Sequence, residues 1–119
     1  MRIVRSSVAH AEIASIDVAA ARAMPGVIAV WTASEIPEIG PIDFREGRIE
    51  SLEIYRQPGL ANDRVRYVGE PIAAIFSDDA YVAEDAAELV VAEFRELDVV
   101  LDPASEPVEF LNGHTPEAA

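Results

Sequence analysis

Apolar and polar positions alternate in two rhythms along this chain, and the densest pattern runs from Arg64 to Glu96. Val65 and Tyr67 alternate with Arg64 and Arg66, a period of two that predicts a half-buried strand. Gly69 and Pro71 break it, because Pro has no amide donor and Gly admits backbone angles closed to other residues. Ile72 to Phe76 is an apolar run of strand length and predicts a buried strand. Asp78 or Asp79 can cap a helix and lies at its positive end. In that helix Ala83, Ala86, Ala87 and Val90 recur at i, i+3, i+4 and i+7, with Glu84, Asp85 and Glu88 opposite. The small alanines let it sit close against a sheet. From Val90 the rhythm returns to two, with Val90, Ala92 and Phe94 on one face, so the helix ends near Leu89 or Val90. The region reads strand, turn, buried strand, helix, strand.

The first third carries a similar outline. Ile3 and Val4, then Ala11 to Ile16, predict two short strands, with Ser6, Ser7, Ala9 and His10 in the join. Asp17 can cap a helix from Val18 to Met24. Pro25 disfavours helical angles at Met24 and Gly26 follows, so the helix stops there. Val27 to Trp31 predicts a second buried strand. Thr32 and Glu35 have capping-box spacing for one short turn, which Pro37 ends. The two strand–helix–strand halves, Ala11 to Trp31 and Ile72 to Phe94, are alike in outline only, and no tandem repeat is visible.

Residues 38–62 are irregular, with Gly40-Pro41, Gly47 and Pro58-Gly59 among charges of both signs. Leu52 and Ile54 alternate with Glu53 and Tyr55, which leaves a short edge strand and a loop both open. Beyond Leu97 come Asp102-Pro103, Glu106-Pro107 and Asn112-Gly113-His114-Thr115-Pro116. This reads as an irregular tail that needs another surface to dock on. The expected organisation is one α+β domain over residues 1–104, with an irregular insertion at 38–62, and a tail at 105–119.

Composition narrows the function classes. A chain of 119 residues, half apolar and 26% charged, is globular and of one-domain size. No apolar run approaches the ~18 residues of a membrane span. Met1-Arg-Ile-Val-Arg5 lacks the apolar stretch of a secretory leader. There is no cysteine, so disulfides, thiolate nucleophiles and Cys-ligated metal or iron–sulfur sites are excluded from this segment. These features fit a cytoplasmic protein. The net charge is −13, and all nine basic residues are arginine. Nucleic acid and anionic membranes would be repelled. A solvated face explains the acidity; adaptation to high salt is the other reading.

Candidate chemistry is sparse. His10, flanked by alanines, reads as a hydrogen-bonded structural residue. Nothing positions Ser6 or Ser7 against an activating group, so no nucleophilic triad is present. His10 and His114 lack metal-ligand spacing. Asp78, Asp79, Glu84, Asp85 and Glu88 read as a helix cap and a solvated helix face, since a calcium loop needs a glycine-bearing loop absent here. Gly69-Glu70-Pro71 is too short to cradle phosphate, and neither GxGxxG nor a Walker motif occurs. Glu70 could act as a general base, but a turn glutamate making local hydrogen bonds is the simpler reading.

Three ordered motifs add a resemblance. The first is Arg5-Ser6-Ser7-Val8-Ala9-His10-Ala11-Glu12-Ile13, with Ser15-Ile16-Asp17 and Met24-Pro25-Gly26-Val27 after it. The second is Val65-Arg66-Tyr67-Val68-Gly69-Glu70-Pro71-Ile72-Ala73-Ala74-Ile75. The third runs through Tyr81, Ala83, Asp85-Ala86-Ala87, Val90, Glu93-Phe94 and Leu97. Together they resemble the α/β-hammerhead domain that begins the molybdenum-binding subunit of the xanthine dehydrogenase, aldehyde oxidase and carbon monoxide dehydrogenase family. The match covers roughly Arg2 to Ala104. Ser7 stands where the family usually has proline, a small loss of rigidity.

The resemblance implies a mixed sheet with two main helices and a protruding β-hairpin, packed on a neighbouring domain. Arg5, Ser6, His10, Pro25, Gly26, Gly69, Glu70 and Pro71 are its structural motif residues. It carries over no catalytic, cofactor-binding or metal-binding residue, so this segment would be an enzyme only as part of a larger oxidoreductase. The complete enzyme implied hydroxylates with water at a molybdopterin centre, or oxidises carbon monoxide, and passes electrons through iron–sulfur clusters to FAD in other domains or subunits. The expected partner is the molybdopterin-binding domain or subunit. The alternatives are a free-standing hammerhead module that self-associates into a homo-oligomer through a sheet edge, and an independent small enzyme.

Overall fold

The computed structural model describes residues 1–42, 56–102 and 104. Six strands and two helices follow in the order β1 (Arg2–Arg5), β2 (Ala11–Asp17), α1 (Ala19–Ala23), β3 (Val27–Thr32), β4 (Arg64–Val65), β5 (Pro71–Ser77), α2 (Ala80–Glu88) and β6 (Val91–Glu96). A 3₁₀ turn, Ala33–Glu35, follows β3. The α+β class with two helices stands. In place of one mixed sheet, the described strands form two three-stranded sheets, β1-β5-β3 and β4-β2-β6, with every pairing antiparallel.

The two halves of the chain exchange strands. The runs β1-β2-α1-β3 and β4-β5-α2-β6 have the same element order. The centre of each sheet comes from the other half: β5 lies between β1 and β3, and β2 lies between β4 and β6. Neither half can complete a sheet alone.

Local signals explain most boundaries. Asp79 caps α2, its Oδ1 accepting the N–H of Tyr81 at 2.7 Å and of Val82 at 3.4 Å. Ahead of α1, Asp17 Oδ1 accepts the Ala19 N–H at 2.8 Å, and the helix begins one residue later than the pattern implied. Met24 leaves helical space with ψ 130° before Pro25, and Gly26 turns the chain at φ +89°. A Cβ at Gly26 would lie 3.3 Å from Val82 Cγ1, so the turn also needs glycine for close approach to α2.

Both helices pack on the first sheet. Val18, Ala21, Ala83 and Ala86 meet Val30 of β3 and Ile75 of β5. A second cluster joins Ala11, Ala61, Val65 and Ile72, with Val8, Ile13 and Phe94 around it. Val4 and Ile16 touch both clusters and make them one core. The alanines of α2 thus pack against the sheet as their spacing predicted, and Ala21 of α1 does the same.

Two readings change. The strand expected through Tyr67 ends at Val65; Tyr67 is exposed and the Arg66 side chain is the more enclosed of the two. The Glu70 carboxylate captures the Arg66 N–H and draws the backbone out of strand pairing. Second, β3 is a strand but not a buried one: it is a sheet edge, Ile28 is 66% exposed, and only Val30 is buried. The edge strand or loop expected at Leu52 and Ile54 lies outside the described residues, and an isolated bridge pairs Ile42 with Gln57, the Ile42 N–H donating to the Gln57 carbonyl at 2.7 Å. The tail beyond Ala104 also lies outside the described residues.

Candidate functional site

Five of the eight motif residues converge where β1 leaves its sheet. The β1–β5 register slips between Val4 and Arg5, which turns the next residues toward the loop before β5. There the Ser6 N–H donates to the Glu70 carbonyl at 2.9 Å, and the Gly69 N–H donates to the Ser6 carbonyl at 2.8 Å. Arg5 Nη1 donates to the Gly69 carbonyl at 2.8 Å. The Glu70 N–H closes a turn onto Tyr67 at 3.2 Å, and the Pro71 carbonyl accepts from the Ala61 N–H at 2.8 Å. Gly69 holds φ +93° with open space around a built Cβ, so this position requires glycine for its backbone angle alone.

Ser6 and Glu70 are the only described polar side chains that are buried. The Ser6 hydroxyl donates to the Val8 carbonyl at 2.8 Å and accepts the Val8 N–H at 3.1 Å. Glu70 Oε2 accepts the Arg66 N–H at 2.5 Å, while Oε1 lies 3.4 Å from Arg66 Nη1. That guanidinium also donates to the Arg64 carbonyl at 2.9 Å. Both carboxylate oxygens and the hydroxyl are therefore engaged within the fold. Among the described residues no base contacts the Ser6 hydroxyl, and Glu70 faces the Arg66 guanidinium. The arrangement clasps two distant loops.

The other motif residues lie elsewhere. His10 Nδ1 is 2.8 Å from the Asp98 carbonyl oxygen, and the Leu97 N–H donates to the His10 carbonyl at 2.9 Å. His10 so ties the segment after β6 to the start of β2. Pro25 and Gly26 form the turn into β3, and the Gly26 carbonyl accepts the Asp78 N–H at 3.2 Å.

The acidic group after β5 disperses. Asp79 is the α2 cap, and Glu84 pairs with Arg2 at 3.0 Å. Among the described residues, no three His, Asp or Glu side chains converge as a metal-binding group, and the sequence has no cysteine. No helix among the described residues is long and apolar enough to cross a membrane.

Sequence reading missed two partners. Arg66 sits four residues before Glu70, a spacing that suits an ion pair across a turn. Arg22 reaches Glu35 and the Val30 carbonyl, the latter at 2.9 Å. The Thr32–Glu35 capping box was legible: the Thr32 N–H donates to Glu35 Oε2 at 2.6 Å and the Thr32 hydroxyl at 2.5 Å. These hydrogen bonds, the hydroxyl's first, and then the Arg22 guanidinium hold the Glu35 carboxyl down at about 2 against burial, from an ordinary 4.5.

Known proteins share this fold and much of this sequence. Over 107 residues the chain is 46% identical to the 6-hydroxypseudooxynicotine dehydrogenase complex subunit gamma of Paenarthrobacter nicotinovorans, covering 87% of this chain and 14% of that protein. It is 45% identical to the nicotine 6-hydroxylase large subunit of the same organism, covering 84% of this chain and 12% of that subunit. Among solved structures, quinoline 2-oxidoreductase from Pseudomonas putida 86 superposes with a TM-score of 0.74 at 40% identity, over 83% of this chain and 13% of that one. A Cu,Mo-CO dehydrogenase superposes with a TM-score of 0.76 at 38% identity, over 86% of this chain and 12% of that one. The chain thus spans about one seventh of the length of these relatives. The family described as aldehyde oxidase and xanthine dehydrogenase, a/b hammerhead domain, matches residues 1–98. With two interlocked sheets, two alanine-faced helices and the Ser6–Glu70 clasp all inside that span, the chain belongs to the hammerhead-domain family of the molybdenum hydroxylases.

Proposed function

We propose that this chain is the assembly module of a molybdenum hydroxylase and is not catalytic by itself. Residues 1–104 act as the hammerhead domain, and residues 105–119 act as a tail that docks on the neighbouring part. The partner is the molybdopterin-binding domain or subunit of the same cytoplasmic enzyme. The bound molybdopterin would supply the oxidative chemistry there, with iron–sulfur clusters and FAD elsewhere. One observation carries the reading. The polar side chains of the family motif are engaged within the fold, the Ser6 hydroxyl with the Val8 backbone and both Glu70 oxygens with Arg66. What remains for function is shape and surface. Tyr67 and Val68 stand exposed beside the clasp, and Val99 to Leu101 stand exposed beyond the His10–Asp98 contact.

Co-expression of this chain with the molybdopterin-binding polypeptide of a molybdenum hydroxylase tests the proposal. The expected outcome is co-elution in size-exclusion chromatography and recovery of oxidoreductase activity only in the complex. Turnover by the purified chain alone, or its failure to associate while folded, would overturn the proposal.

A further inference from the structure

The β3 strand is an exposed sheet edge of unusual composition for this protein. Among the described residues it has a strand partner, β5, on one side only. Its six residues, Val27-Ile-Ala-Val-Trp-Thr32, carry no charge. The other three sheet edges all do: β1 has Arg2 and Arg5, β4 has Arg64, and β6 has Glu93, Arg95 and Glu96. Charged side chains on an edge discourage pairing with another chain, and an uncharged β-branched edge invites it.

Two outward backbone groups of β3 are nevertheless occupied. Arg22 Nη2 donates to the Val30 carbonyl at 2.9 Å. Glu35 accepts the Thr32 N–H at 2.6 Å. Residues two apart in an antiparallel strand present their backbone groups to the same side, so Val30 and Thr32 belong to one row. Arg22 and Glu35 also pair with each other, closing the two contacts into one unit. They reach β3 from opposite ends, one from α1 before it and one from the 3₁₀ turn after it. An open groove of about 360 Å³, lined by Arg22, Ile28, Trp31 and Glu35, lies along this edge.

We infer that Arg22 and Glu35 form a guard on the β3 edge that keeps it from pairing with β3 of a second copy of this chain. A second copy is the natural occupant. An uncharged strand of this kind is complementary to itself in antiparallel, two-fold pairing, which would join two three-stranded sheets into one of six strands. The capping box explains the Thr32–Glu35 contact but not Arg22, which lies outside the box and takes the carbonyl two residues earlier.

Arg22→Ala tests the guard and leaves the capping box in place. It moves the net charge from −13 to −14, so charge alone would weaken association. The expected result in sedimentation velocity is a dimer constant at least tenfold above wild type. Adding Ile28→Lys to that variant restores a charge to the edge without restoring the guard, and is expected to return association to the wild-type level. Circular dichroism reports folding in each case. No gain in association by Arg22→Ala would overturn the inference. Equal association with and without Ile28→Lys would also overturn it, because pairing would then run through another surface or through unfolded chain.

Discussion

The Ser6 N–H donates to the Glu70 carbonyl at 2.9 Å, and both residues are buried. This contact joins the end of the first strand to the turn before the fifth, across the two halves of the chain. Because the halves exchange central strands, the clasp locks an arrangement that neither could hold separately.

The first prediction concerns the Glu70 side chain. Replacing it with alanine leaves the Arg66 N–H without its acceptor and takes the buried carboxylate away from the Arg66 guanidinium, which keeps the Arg64 carbonyl. Glu70→Ala is expected to cost about 3 kcal/mol, the range for breaking an enclosed ion pair. Glu70→Gln keeps an acceptor for the Arg66 N–H and is expected to cost about 1 kcal/mol. Urea unfolding midpoints check both values. Equal losses would mean that charge, and not hydrogen bonding, holds this loop.

A second prediction separates two glycines of similar backbone angle. Gly69 has φ +93° and open surroundings, so Gly69→Ala is expected to cost about 1–2 kcal/mol of backbone strain alone. Gly26 has φ +89° and also faces Val82 Cγ1 at 3.3 Å from the built Cβ. Gly26→Ala is therefore expected to cost more than Gly69→Ala, since the Val82 side chain must also give way to admit the methyl group. Thermal melts of the pair give the order.

The helices provide the third. Ala86 is fully buried between α2 and its neighbours, and close packing there leaves no room for a longer side chain. Ala86→Leu is expected to destabilise by about 1–3 kcal/mol. Ala20, exposed on α1, is expected to tolerate Leu within about 0.5 kcal/mol. Denaturant titration of both variants tests whether alanine spacing, and not helix propensity, is what matters.

Local chemistry was readable from the sequence, and distant pairing was not. The Ile72–Phe76 run, the Asp79 cap, the helix stop at Pro25 and the Thr32–Glu35 box depend on neighbours within a few residues, and each stands. The motif residues around Gly69 were visible through the family resemblance, but their purpose was hidden, because Ser6 meets Glu70 only once strands from the two halves interleave. For the same reason the period-two alternation puts Arg66 on the outer face of a strand that its own partner, Glu70, cuts short. The apolar residues of β3 predict a buried strand; composition does not say which strand ends up at a sheet edge.

The last prediction is a pH dependence at Glu35. Its folded carboxyl titrates at about 2, below the ordinary 4.5, chiefly because of the Thr32 hydroxyl and backbone N–H, with help from Arg22. Above pH 4.5 the carboxyl is ionised in both states and its stabilisation is fully present. As pH falls from 4.5 toward 2 the unfolded chain takes up the proton first, so this stabilisation is lost across that window. With 22 acidic residues in the chain, the test must be a difference. The stability gap between wild type and Glu35→Gln is expected to be constant above pH 5 and to shrink toward pH 2. Thr32→Val removes the largest cause, so it is expected to raise the Glu35 titration midpoint more than Arg22→Ala does. Carboxyl-carbon NMR titration reads both midpoints directly. A wild-type Glu35 titrating near 4.5 would show that its contacts with Thr32 and Arg22 do not persist in solution.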